Sequence, residues 1–238
     1  MSKLFWEESI PSGYYDKLLK DGIRKNKGIQ SSWHHITFLT VAENLRKKTN
    51  HLDYASGPGT FTGIYINDIN SFGVDISNEQ INYAIANYKN TKFFTLDKFD
   101  KSKYKDYFDT ITVIGLIEFL SDDEISNLIT DLKILLKNDG QIIFTTPNFR
   151  GFMKLFSILL SWLGPVNYNL QWVNKFNKKK IKKLLIKNNI SDFKIEKHLN
   201  FGLALSFLNL NLGTKISRII SKIIKYNLGW LLIIKLNK

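Results

Sequence analysis

The stretch His51–Phe61, HLDYASGPGTF, decides how the rest of this chain is interpreted. A short apolar approach ends in Asp53, and a turn of small residues follows it: Ala55, Ser56, Gly57 and Gly59. Small residues let the backbone approach a ligand closely, and glycine also adopts positive φ without a Cβ clash. A turn of this kind between a first strand and a helix is how open α/β sheets hold nucleotide-like cofactors. A tight turn without a ligand is the alternative, because short glycine motifs are weak evidence.

Length and composition limit the possible classes of protein. With 238 residues, of which 44% are hydrophobic, the chain suits one domain with additions. It has no cysteine, and its four histidines form no cluster with metal-ligand spacing, so we expect no metal. The N-terminus carries Glu7 and Glu8 without an apolar run, and no apolar stretch reaches about 18 residues. These features favour a cytoplasmic protein without a secretory signal or a membrane span.

Positive charge is concentrated in the last third of the chain. The net charge is +13, yet residues 1–150 hold 18 Lys and Arg against 19 Asp and Glu, while residues 151–238 hold 16 against 2. The chain is rich in Lys, Asn and Ile throughout, but this bias does not explain why acids nearly vanish after Arg150. A basic surface there would attract an anionic partner, such as a membrane face, a lipid phosphate or nucleic acid.

The N-terminal segment precedes the first strand and is rich in aromatic and polar residues. Residues 11–35 either fold over a ligand as a lid or form a helix whose aromatic rings pack on the sheet edge. The adjacent His34 and His35 are candidate general bases, because histidine is suited to proton transfer near neutral pH. Residues 36–48 have apolar side chains at helical spacing, which predicts a helix.

Strands and helices alternate after the opening turn. The predicted strands after the first are Ser71–Asp75, Lys92–Asp97, Phe108–Glu118 and Gln141–Asn148. A capping box at Ser121 and Glu124 opens the helix before the last of these, and residues 138–140 end it. This alternation is typical of a doubly wound, Rossmann-like α/β sheet with parallel strands and helices on both faces.

Asp75 stands at the end of the second predicted strand. It lies 18 residues beyond Gly57, near the offset of about 20 at which an acid meets ribose hydroxyls in nucleotide-binding units. A carboxylate suits this task because it accepts the protons of both hydroxyls. The alternative role is an N-cap for the helix predicted at 77–88.

Taken together, these motifs resemble the class I S-adenosylmethionine-dependent methyltransferases over roughly residues 45–150. An acid followed by alternating small residues is the family's first motif, and Ala55 stands where glycine is more common. Acids then follow or open the next three strands, and the fifth strand ends in a Thr-Thr-Pro-Asn sequence. The matching positions are Asp53, Ala55, Gly57, Gly59, Asp75, Asp97, Asp109, the segment 116–120 and Thr145–Asn148.

The resemblance implies a site for S-adenosyl-L-methionine, with S-adenosyl-L-homocysteine as the product. Gly57 and Gly59 would lie against the methionine part, Asp75 would hold the ribose hydroxyls, and Asp97 the adenine amino group. The other predicted cofactor-binding residues are Asp53, Ala55, Ile76 and Ile117. Many relatives have a histidine after the acid that follows the fourth strand, but Phe119 stands there. The candidate catalytic residues are therefore His34, His35 and Glu118.

The resemblance also implies that the sheet is mostly parallel with an antiparallel last strand, here residues 230–235. We divide the single domain into an N-terminal helical lid segment (1–50), a cofactor-binding core (51–148) and a C-terminal part (149–238). The C-terminal part completes the sheet and adds two substrate-side insertions, an apolar stretch at 149–173 and a connection at 200–229.

The connection contains one helical face of isoleucines, with basic residues around it. The isoleucines are Ile216, Ile219, Ile220, Ile223 and Ile224, and the basic residues are Lys215, Arg218, Lys222 and Lys225. One interpretation is an ordinary amphipathic helix packed on the domain. The other is a basic helix that docks reversibly on an anionic membrane surface, which would place the protein peripherally at the inner face of a membrane.

The primary prediction is a methyltransferase that acts on a small, hydrophobic or lipid-linked acceptor. A nucleic-acid partner is the first alternative, as an RNA methyltransferase or a binding module that uses the basic C-terminal third. Against it, residues 145–148 lack the Asn/Asp-Pro-Pro-aromatic signature of many amino-methylating nucleic-acid enzymes. An NAD(P)-dependent oxidoreductase is the second alternative, which the turn Gly57–Thr62 disfavours because it lacks a third glycine at the usual spacing.

Overall fold

A seven-stranded sheet organises the computed structural model, which describes residues 10–45, 49–150 and 171–238. The strands are β1 (His51–Tyr54), β2 (Ser71–Asp75), β3 (Lys92–Thr95), β4 (Phe108–Ile114), β5 (Leu136–Pro147), β6 (Phe193–His198) and β7 (Leu231–Asn237). Their order is β3-β2-β1-β4-β5-β7-β6, with β1 to β5 paired in parallel. β7 runs antiparallel to both β5 and β6. The predicted fold class, including the antiparallel last strand, is confirmed.

Helices cover both faces of this sheet. They are α1 (Tyr14–Lys25), α2 (Ile29–Ala42), α3 (Asn78–Asn87), α4 (Asp122–Leu135), α5 (Lys178–Lys187) and α6 (Leu210–Ile223). Neighbouring strand residues point to opposite faces, so Ile142 joins the apolar cluster that contains α4 and α5. Ile143 joins the cluster that contains α1 and α2. In the described part of the chain, no helix is long and apolar enough to cross a membrane.

Several predicted boundaries differ from the structure. The helix predicted at 36–48 is α2, which begins at Ile29 directly after Gly28 (φ 126°) and ends at Ala42. β4 ends at Ile114 because Gly115 turns the chain with φ 67°, and residues 117–119 form a short 3₁₀ turn. α4 has the predicted capping box but ends at Leu135, and residues 136–140 already belong to β5. Pairing of Leu136 with Phe108 of β4, which the local pattern does not contain, decides the last of these ends.

The predicted apolar stretch at 149–173 falls mostly on residues 151–170, which lie outside the described residues. The connection at 200–229 is described and contains a 3₁₀ turn, Phe201–Phe207, followed by α6. α6 packs on that turn and on α2. A Cβ on Gly213 would lie 2.0 Å from the Ser206 hydroxyl, so only glycine allows this close approach.

The packed face of α6 is not the isoleucine face. Its buried residues are Leu210, Gly213, Thr214, Ser217 and Ser221. Ile219 and Ile223 are 43% and 73% exposed, although Ile216 and Ile220 are partly buried. α6 packs on the domain, as the first interpretation expects, although small residues and not the isoleucines form its most buried face. Small residues form the contact because they let the backbones approach closely, and the larger isoleucines stay outside.

Candidate active site

The turn after β1 is shaped by three residues in the left-handed region, Ala55 (φ 66°), Gly57 (φ 53°) and Gly59 (φ 73°). The Asp75 carboxylate holds this turn, because it accepts the Gly57 N–H at 2.8 Å and the Ser77 N–H at 2.9 Å. A Cβ on Gly57 would meet no heavy atom within 4 Å, so its backbone faces open space. The α3 N-cap is Ser77, and Asp75 supports the turn instead.

That open space is a cavity of about 820 Å³ at the carboxyl ends of β1, β2, β4 and β5. Its wall on one side is the turn after β1, together with Asp53, Asp75 and Ile76. On the other side it is lined by aromatic rings from α1, α2 and the segments after β4 and β5. These rings belong to Tyr15, Trp33, Phe38, Phe119 and Trp172. The cavity thus joins a turn suited to a nucleotide-like ligand with an apolar compartment.

The N-terminal helices are tied to α3 beside this cavity. The Gln80 side chain accepts the Gly13 N–H at 3.0 Å and donates to the carbonyl of Pro11 at 3.2 Å. The fully buried Asp16 accepts hydrogen bonds from the Tyr83 hydroxyl at 2.7 Å and from the Tyr88 hydroxyl. Burial, and then the hydrogen bond to Asp16, raises the pKa of Tyr83 to about 12. Each tyrosine therefore stays protonated and donates to the buried carboxylate.

Asp53 lies at the bottom of the cavity and belongs to a buried polar chain. The Thr112 hydroxyl donates to its Oδ1 at 2.7 Å, and His51 Nε2 lies 2.9 Å from the same hydroxyl. Burial raises the pKa of Asp53 to about 7, although the Thr112 hydroxyl offsets part of this effect. Burial lowers the pKa of His51 to about 3. His51 is therefore neutral and does not supply a positive charge to Asp53.

Glu118 lies in the 3₁₀ turn after β4 and lines the same cavity. The backbone N–H groups of Val173 and Asn174 donate to its carbonyl oxygen at 3.0 and 2.9 Å. These bonds dock the segment that carries Trp172 beside it. The side chain is 4% exposed, and its Oε2 has no hydrogen-bond partner within 3.5 Å in the described part of the chain. Burial raises the pKa of Glu118 to about 7, and the nearby Thr146 hydroxyl offsets only part of this effect.

Further buried polar atoms without hydrogen bonds belong to residues that line the cavity. The hydroxyl oxygens of Ser56, Thr60 and Thr146 are buried and make no hydrogen bond within the described residues. Buried polar groups are normally paired, so a cluster of unpaired groups around one cavity indicates a ligand that supplies the partners. Together with the open backbone at Gly57, they fit a polar cofactor bound across the ends of β1 and β5.

Comparison with known proteins decides the family. The chain matches the family model "Methyltransferase domain" over residues 29–193. The chain belongs to this methyltransferase family. It is an S-adenosylmethionine-dependent methyltransferase, and S-adenosylmethionine is its cofactor. A search of curated protein sequences found no significant match. The comparisons bring no support for a nucleic-acid or a nicotinamide-dependent enzyme.

Solved structures with this fold include other methyltransferases. The plantazolicin methyltransferase BpumL in complex with S-adenosylhomocysteine is 20% identical, with a TM-score of 0.60 over 99% of this chain and 93% of that one. A possible histamine N-methyltransferase from Thermotoga maritima is 13% identical, with a TM-score of 0.59 over 86% and 90%. A Haemonchus contortus phosphoethanolamine N-methyltransferase is 14% identical, with a TM-score of 0.54 over 87% and 53%.

The predicted cofactor residues of this methyltransferase fall into two groups. Those that line the cavity are Asp53, Ala55, Gly57, Asp75 and Ile76. Gly59, Asp97 and Ile117 are not among its lining residues. A Cβ on Gly59 would lie 2.6 Å from the Phe93 ring, and Ile117 is buried in the apolar core. Asp97 is exposed beyond β3, next to Leu96, which does line the cavity. The roles assigned to these residues stay predictions.

The two candidate histidines follow each other in α2 but have different surroundings. His34 lines the cavity, and burial lowers its pKa to about 4. His35 is not a lining residue, and its Nδ1 lies 2.6 Å from the Tyr65 hydroxyl. Burial, together with the Arg218 guanidinium, lowers the pKa of His35. Of the two, His34 is the one positioned to meet a molecule in the cavity.

Several site residues were not found by local pattern. Asp16 and Gln80 hold the N-terminal helices, but their partners lie 67 to 72 residues away in sequence. Trp33 and Trp172 line one cavity, although no spacing rule connects the segments that carry them.

Asp109 is placed at the opposite end of β4, where it pairs with Lys137 at 2.8 Å. No group of three His, Asp or Glu in the described ranges is arranged to hold a metal ion.

When bound, S-adenosylmethionine supplies a methyl group that its sulfonium already activates for displacement. The residues that would hold it are those around the turn after β1, with Asp75 at the ribose and Gly57 at the methionine part. The remaining task of the protein is to hold an acceptor against the methyl group and to keep bulk water away. The aromatic compartment of the cavity can do both.

Proposed function

We propose that this methyltransferase transfers the methyl group to a small, largely apolar acceptor bound in the aromatic compartment of the cavity. The observation that carries the proposal is that the donor turn and the rings of Tyr15, Trp33, Phe38 and Trp172 line one continuous space. Apolar and aromatic walls with few polar groups are typical of small-molecule sites.

In this proposal, residues 1–50 form a lid segment and residues 149–238 complete the substrate side. Two observations support the lid. α1 and α2 contribute Tyr15, Trp33 and Phe38 to the wall, and the Asp16 and Gln80 contacts hold these helices beside it. The support for the substrate side is that Trp172 and Leu231 also line the cavity.

Labelled S-adenosylmethionine tests the proposal directly. The purified enzyme is incubated with the labelled cofactor and a cell extract, and mass spectrometry identifies the small molecules and lipids that gain a methyl group. We expect the labelled products to be small and extractable into organic solvent. Label that appears only in RNA or DNA would contradict the proposal. Trp33→Ala is the test variant, because it opens the aromatic wall without changing the donor turn.

A second proposal concerns a lipid-linked acceptor. The exposed Ile219 and Ile223 of α6 are accompanied by exposed Lys215 and Lys222, which is the pattern of a helix that lies on an anionic membrane. Each basic residue near such a surface contributes about 1 kcal/mol, so attachment would be reversible and peripheral, at the inner face of a membrane.

Sedimentation with vesicles tests this attachment. We expect the protein to sediment with anionic vesicles and not with neutral ones, and we expect Ile219→Ser with Ile223→Ser to weaken the binding. Equal sedimentation of wild type and double variant would contradict a role for α6. An electrophoretic shift with RNA that exceeds the affinity for anionic vesicles would favour the nucleic-acid alternative.

A further inference from the structure

We infer that the acceptor reacts through an amine nitrogen and that the Glu118 carboxylate binds this amine in the cavity. The inference rests on the proposed function, because it assigns a chemical class to the acceptor of that same cavity. Neither the family nor the fold specifies whether oxygen, nitrogen or carbon is methylated.

The first argument is the sign of the charges around the cavity. The charged side chains among its described lining residues are all acidic: Asp53, Asp75, Glu118, Glu124 and Asp131. None of these lining residues is Lys or Arg, although the protein carries a net charge of +13. An acceptor with a phosphate or carboxylate would meet repulsion there, whereas an amine meets attraction.

The second argument is that one carboxylate oxygen of Glu118 is left without a hydrogen-bond partner. The other four are engaged within the protein: Asp53 with Thr112, Asp75 with Gly57 and Ser77, Glu124 with Ser121, and Asp131 with Lys101. Glu118 is almost fully buried, yet its Oε2 has no hydrogen-bond partner in the described part of the chain. A buried carboxylate oxygen without a partner is costly, so this oxygen lacks a hydrogen-bond donor that a ligand can supply.

The third argument is the apolar surrounding of Glu118. Phe119 follows it directly, and the hydrogen bonds from Val173 and Asn174 to its carbonyl dock Trp172 beside it. Aromatic rings attract a cation through their faces and pack against apolar groups. This combination of one carboxylate with several rings selects an amine that carries an apolar or aromatic body.

Glu118 can also serve the reaction itself. An ammonium group has no lone pair, so one proton must leave before the nitrogen reacts, and the carboxylate can accept it. The nitrogen lone pair then forms the N–C bond while the C–S bond breaks and its electron pair stays on sulfur. The products are a methylated ammonium and a neutral thioether, and Glu118 passes its proton to solvent.

His34 is less suited to this proton transfer. Its pKa is lowered by burial to about 4, whereas that of Glu118 is raised by burial to about 7. A base with a pKa near the working pH is both available and strong enough to take a proton. Glu118 is therefore assigned as the catalytic base that also binds the amine.

Three probes of one shape test the inference in the complex with S-adenosylhomocysteine. Phenethylamine, 2-phenylethanol and 3-phenylpropionate present an amine, a hydroxyl and a carboxylate on the same ring. We expect calorimetry to show that the amine binds at least 10-fold more tightly than the alcohol and that the acid does not bind. In Glu118→Gln, the amine affinity should fall at least 30-fold, while the affinities for the alcohol and for S-adenosylhomocysteine stay within twofold.

Two further variants serve as controls. Glu124→Gln removes another acid of the cavity wall. Glutamine can also form a capping box, so α4 should stay intact and the amine affinity should fall less than threefold. Glu118→Asp keeps the charge and should retain the preference for the amine over the alcohol. Thermal unfolding of each variant shows that the fold is intact.

Each contrary result has a distinct meaning. Amine and alcohol binding equally, or an unchanged amine affinity in Glu118→Gln, would overturn the inference and leave the proposed function standing. A loss of S-adenosylhomocysteine affinity as large as the loss of amine affinity would assign Glu118 to the cofactor instead. If none of the three probes binds while S-adenosylhomocysteine does, the inference and the proposed apolar acceptor both fail.

Discussion

The cavity and the outer face of α6 combine charge and apolar surface in opposite ways. In the cavity, aromatic rings and acids are enclosed together, and two of the acids have pKa values raised to about 7 because they are buried. On α6, the isoleucines Ile219 and Ile223 are exposed to solvent beside the exposed Lys215 and Lys222. Burial alters the chemistry of the charged groups in the first region, whereas the basic groups of the second region are open to an outside partner. The net charge of +13 therefore says little about the acceptor.

The largest expected effect concerns the donor side of the cavity. Asp75→Ala removes the carboxylate predicted to accept two ribose hydroxyls, each hydrogen bond being worth about 2 kcal/mol. The Kd for S-adenosylhomocysteine, measured by calorimetry, should rise on the order of a thousandfold. Asp97→Ala is the matched control, and its exposed position predicts an effect of about tenfold or less. Wild-type affinity in Asp75→Ala would sink the predicted ribose contact.

The second prediction uses the buried charge of Glu118. Its pKa is about 7 in the folded protein, against about 4.3 in the unfolded chain, so the folded state keeps a proton that the unfolded state loses between these values. The free energy of unfolding of the wild type therefore falls as the pH rises through this window. Glu118→Gln lacks this penalty. Its free energy of unfolding relative to that of the wild type should therefore rise by about 3 kcal/mol from pH 4 to pH 8.

Urea denaturation at several pH values measures this difference. Glu124→Gln is the control with the opposite sign, because the backbone N–H of Ser121 lowers the pKa of Glu124. The contribution of the ionised Glu124 carboxylate to the free energy of unfolding is present above the pKa that Glu124 has in the unfolded chain, and it is lost as the pH falls. A Glu118→Gln profile parallel to that of the wild type would show that the carboxyl is not desolvated, and the contrast with the α6 lysines would disappear.

The third prediction concerns the lid contacts. Tyr83→Phe removes a donor to the buried Asp16 and should lower the free energy of unfolding by about 2 kcal/mol. Tyr14→Phe is the matched control, because Tyr14 lies in the same helix as Asp16 but is not one of the two tyrosines that donate to it. Urea denaturation compares the two variants. Equal stability would mean that the Asp16 cluster does not hold α1 in place.

The smallest effect is expected on α6. Ile223→Ser should change the free energy of unfolding by less than about 0.5 kcal/mol, because the side chain is 73% exposed. Ser217→Ile, on the buried face of the same helix, should cost about 2 kcal/mol because the contact leaves no room for the larger side chain. Thermal unfolding of both variants checks the order. A larger loss for Ile223→Ser would mean that the isoleucine face is covered.

Prediction from sequence was most successful where one local pattern decides one element. The apolar run of β4, the capping box at Ser121 and the exact bounds of β2 were visible because backbone periodicity and caps depend on near neighbours. The starts and ends that depend on pairing, such as the early end of α4, were not. The packed face of α6 was also missed, because the periodicity of the isoleucines does not reveal that the face with glycine and serine lies against the domain.

The order of motifs along the chain predicted the doubly wound sheet and the resemblance to a methyltransferase family, and that resemblance implied the antiparallel last strand. Each of these depends on local patterns that recur in a set order. The inferred preference for Glu118 over His34 and His35 depends on the tertiary structure. Folding brings Glu118 and His34 to one cavity, turns His35 toward Tyr65 and leaves one carboxylate oxygen of Glu118 without a partner. Burial and missing partners are properties of the packed molecule, because they arise between segments far apart in the chain.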